Sequence, residues 1–167
     1  TPNGLSRMLH NVGMDRDGQE LVFKSLLDQS PQLVYDLSSM FSRSMNISLA
    51  EKGYNKDRIH VPQINIALLC NANSGLPTMI RSLPGSVKDI ATLCNSIREL
   101  DIRNKLLLLD RGFFSEDVFL FLDERKISYL IPARRNSNYY DTRIHLNSHF
   151  RYHARLIKCG SRMVGNK

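Results

Sequence analysis

Two aspartates stand beside runs of apolar residues, where a buried strand would normally carry no charge. Asp36 lies inside one such run, and Asp110 directly follows the four leucines at 106–109. Burial of an unpaired carboxylate is costly, so each side chain should have a compensating partner. A divalent cation is one such partner, because Mg²⁺ is held by one or two carboxylates and leaves its other positions to water and phosphate oxygens. Capping of loops, or pairing with Arg43 and Arg111, would explain the pattern equally well.

A second group of residues, basic and aromatic, lies near the end of the sequence. The basic members are Arg134, Arg135, Arg143, Arg151, Arg155 and Lys158, with Tyr139, Tyr140, Phe150 and Tyr152 between them. Cations bind phosphates and aromatic rings stack on bases, so this interleaving predicts contact with DNA. An ordinary solvated strand face is the alternative interpretation.

The elements that must position these residues follow from residue pattern. Helices are predicted at 17–27, where Leu21, Val22 and Leu26 could share a buried face, from a cap at Ser86 to Leu100, and after a cap at Ser115. Strands are predicted at 32–40, 64–70, 78–83, 105–110 and 128–131. The Asn- and Gly-rich segment 71–75 predicts an antiparallel hairpin. The leucines at 106–109 suit a strand covered on both faces. The polar segment 42–62 predicts a long exposed connection.

Three antiparallel strands, a helix, a strand, a helix and a strand follow one another in this prediction. This is the element order of a ribonuclease-H-like mixed α/β sheet, in which the first and fourth strands are neighbours. Neighbouring strands lie about 4.8 Å apart, so Asp36 and Asp110 could reach a common pair of metal ions roughly 3.5–4 Å apart. A receiver-like α/β domain with acids at strand ends is a rival, but its sheet is wholly parallel.

Four short runs resemble the insertion-sequence DDE transposases, in the order in which that family has them. They are Tyr35 to Ser39, Ala50 to Tyr54, Pro84 to Ser86 with Asp89, and Leu109 to Ser115. The last run is the most specific, because Asp-Arg-Gly-Phe-Phe-Ser directly follows an apolar strand. The resemblance covers residues 31–158.

The resemblance implies that Asp36 and Asp110 are the first two catalytic aspartates and bind Mg²⁺ or Mn²⁺. It implies DNA strand cleavage and strand transfer, in which one ion stabilises the attacking oxygen and the other the leaving oxygen. The implied partners are DNA, as transposon ends and target, and a possible homodimer on DNA, with no membrane. The implied location is the cytoplasm of a prokaryote.

The family's third acid, a glutamate on a later helix, has no match in this sequence. The stretch 134–167 contains one acid, Asp141, and resembles the start of the β-rich insertion that precedes that helix. The predicted organisation is a lead-in segment at 1–30, an incomplete catalytic core at 31–133 and a truncated insertion at 134–167. An inactive remnant that keeps the fold or DNA binding only is the alternative function.

Composition narrows the class of protein further. The 42% hydrophobic and 23% charged residues indicate a globular chain, and no apolar stretch approaches the roughly 20 residues of a membrane-spanning helix. A net charge of +7 suggests an anionic partner, although ribosomal and membrane-surface proteins share that property. The scattered Cys70, Cys94 and Cys159 predict buried, reduced thiols. The beginning of the sequence lacks both Met and a signal pattern, as in a fragment of a longer protein.

Several other residues have competing interpretations. His145, His149 and His153 are spaced four apart like zinc ligands on a helix, but strands are expected there, so phosphate contact is preferred. Asp89, three residues after Ser86, is predicted to complete a capping box rather than to act in catalysis. The connection residues Lys52, Tyr54, Lys56 and Arg58 could contact DNA or simply form a polar loop.

Overall fold

The computed structural model describes residues 1–44, 46–53, 61–87, 89–141 and 143–163. The described residues form four helices and a 3-10 turn: α1 Pro2–Met14, α2 Arg16–Asp28, α3 Asp89–Glu99, the turn Arg111–Phe113 and α4 Glu116–Glu124. The strands are β1 Gln32–Phe41, β2 Gln63–Asn71, β3 Pro77–Pro84, β4 Leu106–Leu109, β5 Ser128–Leu130, β6 Ser148–Tyr152 and β7 Arg155–Cys159. The chain divides into two units, Thr1–Pro132 and Ala133–Lys167.

The first unit is built on a five-stranded sheet in the order β3-β2-β1-β4-β5. The pairs β1–β2 and β2–β3 are antiparallel, whereas β1–β4 and β4–β5 are parallel. A parallel neighbour requires a long crossover, and α3 and α4 lie in the two crossovers. The predicted ribonuclease-H-like sheet is therefore confirmed, and a wholly parallel receiver-like sheet is excluded.

The hairpin between β2 and β3 forms where the sequence predicts it. The Asn71 side-chain oxygen accepts hydrogen bonds from the backbone amides of Asn73 (2.9 Å) and Ser74 (3.2 Å). Gly75 has a φ of 71°, which a residue without a Cβ adopts without strain. Short local hydrogen bonds of this kind hold the two antiparallel strands in register.

The core lies on one face of this sheet. Leu33, Tyr35 and Leu69 from the strands pack in one cluster with residues of α3 and α4 such as Leu93 and Val118. The strand β4 differs from prediction, because only Leu107 and Leu109 are fully buried, while the alternate leucines are half-buried. Burial alternates because the residues of the sheet that join this cluster lie on a single face.

The N-terminal helices differ from the sequence prediction in two ways. Leu21, Val22 and Leu26 were expected to share a buried face, but they are exposed, and α2 instead directs Phe23 and Leu27 to the core. The helix α1 was not predicted. Its sequence signals were a Thr-Pro start and apolar residues at helical spacing, Leu5, Met8, Leu9 and Val12, all of which are exposed.

A buried arginine joins α2, β3 and α3. Arg81 is 4% exposed, and its guanidinium donates hydrogen bonds to Gln19 and to the carboxylate of Glu99. The same guanidinium lies 4.9 Å from the centre of the Phe23 ring, within the range of a cation–π contact. A buried cation depends on such partners, since its charge has little access to water.

We expect Glu99→Gln to lower the free energy of unfolding by about 1–3 kcal/mol, because Arg81 then keeps a neutral partner instead of a charge-assisted hydrogen bond. Urea unfolding followed by circular dichroism measures the change. The matched control is Glu124→Gln on the exposed last turn of α4, which should change stability by less than about 0.5 kcal/mol. Equal effects of the two substitutions would contradict the role given to Arg81.

Candidate functional site

The parallel pairing of β1 with β4 brings Asp36 and Asp110 to neighbouring positions. Tyr35 lies opposite Leu109 in the last pair of the ladder; Asp36 is the next residue of β1, and Asp110 directly follows the end of β4. Tyr35 and Leu109 are buried on the core face, so alternation directs both aspartates to the other side of the sheet. Neighbouring strands are about 4.8 Å apart, a separation at which two carboxylates can hold one cation between them.

Each carboxylate is oriented by a short-range hydrogen bond. The Asp110 Oδ1 atom accepts from the backbone amide of Gly112 at 2.7 Å, and this contact caps the 3-10 turn that follows β4. The Asp36 Oδ2 atom accepts from the Ser38 hydroxyl at 3.3 Å. In both aspartates the described hydrogen bonds engage one carboxylate oxygen and leave the second for another ligand.

The structure changes the reason for expecting a cation. Both aspartates are exposed rather than buried, so the cost of burial that the sequence suggested does not apply. Within the described residues neither carboxylate forms a salt bridge, so the proposed pairing with Arg43 or Arg111 is not found there. Two like charges at adjacent strand positions repel each other, and a divalent cation would relieve that repulsion.

Aromatic packing fixes the segment that follows Asp110. Phe113 is 3% exposed, and its ring meets that of Tyr35 edge-on at 5.5 Å between centroids. The Ser115 hydroxyl accepts from the backbone amide of Val118 at 3.4 Å and caps α4, as predicted. Asp110 is thus held between a buried strand on one side and an anchored turn on the other.

A buried pair of amides, which the sequence reading missed, organises the same end of the sheet. Gln63 and Asn65 are 0% and 2% exposed, and we call them the amide pair. The Gln63 amide nitrogen donates to the Gly85 carbonyl at 3.2 Å, and that of Asn65 donates to the Val87 carbonyl at 3.2 Å. The sequence could have indicated this pair, because Gln63 and Asn65 alternate along β2 on the same face as the buried Ala67.

The amide pair lies where two of the runs that resemble the transposase family meet, one around Glu51 and one around Gly85. Glu51 exchanges two backbone hydrogen bonds with Gln63, at 2.8 and 3.1 Å, and the Ser86 hydroxyl donates to the Glu51 carboxylate. A Cβ on Gly53 would lie 1.8 Å from the Gly85 carbonyl oxygen, so the two glycines allow backbones to touch. Part of the predicted exposed connection is therefore docked on the sheet.

Some predicted site residues lie outside this arrangement or outside the described residues. Lys52 is exposed beside the docked segment. Tyr54, Lys56 and Arg58, and the side chain of Asp89 that was to close a capping box, lie outside the described residues. A surface cavity of about 530 Å³ is lined by Arg103, Asn104, Glu124, Arg125 and Lys126. These residues directly precede β4 and β5, so they lie at the N-terminal ends of these strands, whereas Asp110 lies at the C-terminal end of β4.

No third metal ligand joins the two aspartates in the part of the chain that the structure describes. A group of three or more His, Cys, Asp or Glu side chains able to hold a metal ion is absent from those residues. His149 lies on β6, and His153 lies in the turn after it with a φ of 52°, so the histidines do not share a helix.

The basic residues of the second unit have different environments. Arg134 and Arg135 are exposed beside a turn. Arg143 is bound to Asp141 by a 3.1 Å ion pair, and this hydrogen-bonded guanidinium lowers the pKa of the Asp141 carboxyl. Arg151, Arg155 and Lys158 are exposed on the hairpin formed by β6 and β7.

The three cysteines are free thiols, as predicted, but they are half-buried rather than buried. Burial raises the pKa of the Cys70 and Cys94 thiols above its ordinary value, which disfavours the reactive thiolate. Among the described helices, none has the length and apolar character needed to cross a membrane.

The strand order defines a ribonuclease-H-like α/β domain with one carboxylate on its central strand, β1, and another directly after the neighbouring β4. The sequence profile of the transposase DDE domain family matches residues 25–161 of the chain, which spans this sheet and the hairpin of the second unit. The protein belongs to the transposase DDE domain family. No curated protein matches the sequence significantly.

Similar solved structures come from two transposases. The piggyBac transposase synaptic complex with hairpin DNA is 15% identical with a TM-score of 0.43, over 67% of this chain and 25% of that one. The Mos1 transposase paired-end complex with the left transposon end is 10% identical with a TM-score of 0.41, over 67% and 40%. A pre-cleavage Mos1 transpososome is 12% identical with a TM-score of 0.40, over 71% and 43%. The matched region is less than half of each transposase chain.

We expect Gly85→Ala to destabilise the protein by about 1–3 kcal/mol, because its Cβ would lie 2.1 Å from the Gln63 carbonyl oxygen and must displace the docked segment. Urea unfolding and limited proteolysis of residues 46–53 measure the two effects. Gly13→Ala is the matched control, since nothing lies within 4 Å of its added Cβ. It should instead stabilise α1 by about 0.5–1 kcal/mol, and a Gly85 variant that behaves in the same way would refute the docking.

Proposed function

We propose that this chain carries part of the catalytic site of a DNA transposase, with Asp36 and Asp110 as metal ligands. The observation that supports this most directly is the register of β1 with β4, which makes the two acids neighbours in a chain of the DDE family. The proposed reactions are metal-dependent cleavage of a DNA strand and transfer of the freed 3′-hydroxyl to a second DNA.

The residues present fit a hard divalent cation. Carboxylate oxygens are the ligands that Mg²⁺ and Mn²⁺ prefer, and these two are exposed, adjacent and free of cationic partners among the described residues. When bound there, Mg²⁺ or Mn²⁺ supplies stabilisation for charge on the attacking and leaving oxygens of phosphoryl transfer.

The chain's own contribution is to hold the carboxylates in place. The Gly112 amide orients Asp110, and the Ser38 hydroxyl orients Asp36. The buried contact between Tyr35 and Phe113 ties β1 to the 3-10 turn, and so resists movement of the turn that follows Asp110 relative to the strand that carries Asp36. Positioning of this kind accounts for much of the catalysis of phosphoryl transfer, which needs no covalent protein intermediate.

DNA is the proposed substrate, both as transposon ends and as target. The proposed phosphate contacts come from basic residues of the second unit: Arg134, Arg135, Arg143, Arg151 and Lys158. In this proposal residues 31–133 form an incomplete catalytic core after a lead-in at 1–30, and residues 134–167 begin a β-rich insertion. From the resemblance to insertion-sequence transposases, we also propose that the protein acts as a homodimer on DNA in the cytoplasm of a prokaryote.

We expect Asp36→Asn and Asp110→Asn each to weaken Mn²⁺ binding by more than about tenfold, because each removes one of two neighbouring anionic ligands. Electron paramagnetic resonance of free Mn²⁺ measures this with the 167-residue chain, without any need for activity. Asp123→Asn, on the exposed surface of α4, is the matched control and should leave Mn²⁺ affinity unchanged. Unaltered Mn²⁺ affinity in both site variants would show that the metal does not bind at Asp36 and Asp110.

Activity requires a separate assay, nicking of supercoiled plasmid in Mg²⁺ by the natural full-length protein. We expect Asp36→Ala and Asp110→Ala to lower the nicking rate by more than about 100-fold, since loss of a metal ligand exceeds the 10–100-fold cost of losing a supporting contact. Undiminished nicking would exclude the two acids from the mechanism. A wild-type protein that binds DNA but never nicks it would instead identify an inactive remnant.

A further inference from the structure

The hairpin of the second unit is a two-stranded ribbon with a tight turn. The strands β6 and β7 pair antiparallel from Ser148 opposite Cys159 to Tyr152 opposite Arg155. The turn between them contains His153 with a φ of 52°, the left-handed conformation that short hairpin loops require. The register therefore determines which side chains share a face.

The two faces of the ribbon differ in chemistry. One face carries His149 and Arg151 from β6 with Leu156 and Lys158 from β7, and we call it the cationic face. The other carries Ser148, Phe150, Tyr152, Arg155, Ile157 and Cys159, and we call it the aromatic face. The Ser148 hydroxyl lies 3.0 Å from the Cys159 sulfur, as expected for opposite residues on one face.

Positive charge is concentrated on the cationic face without internal compensation. Lys158 lies directly opposite His149 and diagonally to Arg151, within about 5–8 Å between Cβ atoms. Residues 142–167 contain no Asp or Glu, and in the described residues neither Arg151 nor Lys158 forms an ion pair, whereas Arg143 is bound to Asp141. Like charges this close destabilise a hairpin, so an external anion would stabilise the arrangement.

We propose that the cationic face docks on duplex DNA, with the ribbon in the major groove and Arg151 and Lys158 on phosphates. This inference rests on the proposed function in taking DNA as the partner. A two-stranded ribbon fits the roughly 12 Å width of the B-form major groove, and the His149 imidazole can donate a hydrogen bond there. Arg155 takes no part, because it lies beside Tyr152 on the other face.

The geometry favours DNA over two other polyanions. A-form RNA has a deep, narrow major groove that a ribbon cannot enter. A membrane surface favours apolar and aromatic side chains between the cations on one face, whereas here Phe150 and Tyr152 lie on the face opposite Arg151. Duplex DNA therefore matches the cationic face, which carries no aromatic ring.

Fluorescence anisotropy of a labelled DNA duplex, titrated with the 167-residue chain in EDTA over a series of NaCl concentrations, tests the proposal. Each phosphate contact contributes about 0.9 to the slope of log affinity against log salt. We expect Arg151→Gln to lower the slope by about 0.9, and Arg151→Gln with Lys158→Gln to lower it by about 1.8. The matched control, Arg155→Gln, removes the same charge from the same ribbon and should leave the slope unchanged.

The charge-preserving pair Arg151→Lys with Lys158→Arg should retain the slope, which separates loss of charge from loss of folding. An equal decrease in slope for Arg151→Gln and Arg155→Gln would overturn the proposal, because DNA would then respond to the total charge of the ribbon rather than to one face. An unlabelled RNA duplex that competes as well as DNA of equal length would overturn docking in the groove. EDTA prevents metal-dependent cleavage during the binding measurement. A protein that binds DNA through the cationic face but fails the nicking assay would refute the proposed reaction and support this inference.

Discussion

The parallel pairing of β1 with β4 is the interaction on which the arrangement of the first unit depends. Four pairs of residues, from Gln32 with Leu106 to Tyr35 with Leu109, join two strands that are far apart in the sequence. Because side chains alternate, the same register buries Tyr35 and Leu109 and turns Asp36 and Asp110 outward together. A slip of one residue would move one acid into the core face and separate the pair.

Polar contacts stabilise the end of the sheet where these acids lie. The amide pair, Gln63 and Asn65, satisfies carbonyl groups of the turn after β3 and supports the docked segment around Glu51. Buried amides are costly unless hydrogen-bonded, so their presence within an otherwise apolar face of β2 shows that the turn needs specific partners. Arg81 has a comparable role in joining α2 and α3 to β3.

Each unit by itself concentrates like charges that the described chain does not neutralise. In the first unit one carboxylate on β1 and one directly after β4 follow the last pair of the parallel ladder, and in the second Arg151 and Lys158 lie diagonally across a ribbon. Such arrangements lower the stability of a protein in isolation, and a bound cation and a bound polyanion respectively would offset the repulsion. DNA-cleaving enzymes that use metal ions need both kinds of ligand, which is why the two features together suit a transposase.

The sequence by itself determined the element types of residues 17–131, the hairpin at 71–75, the two aspartates and the excess of basic residues near residue 150. These features depend on neighbouring residues, such as four leucines in a row or Asn and Gly in a turn. Only the tertiary structure decided that Asp36 and Asp110 are neighbours and exposed, that Phe23 rather than Leu21 faces the core, and that Arg151 and Arg155 lie on opposite faces. Strand register and the choice of packing face arise from contacts between distant segments, and local sequence does not specify them.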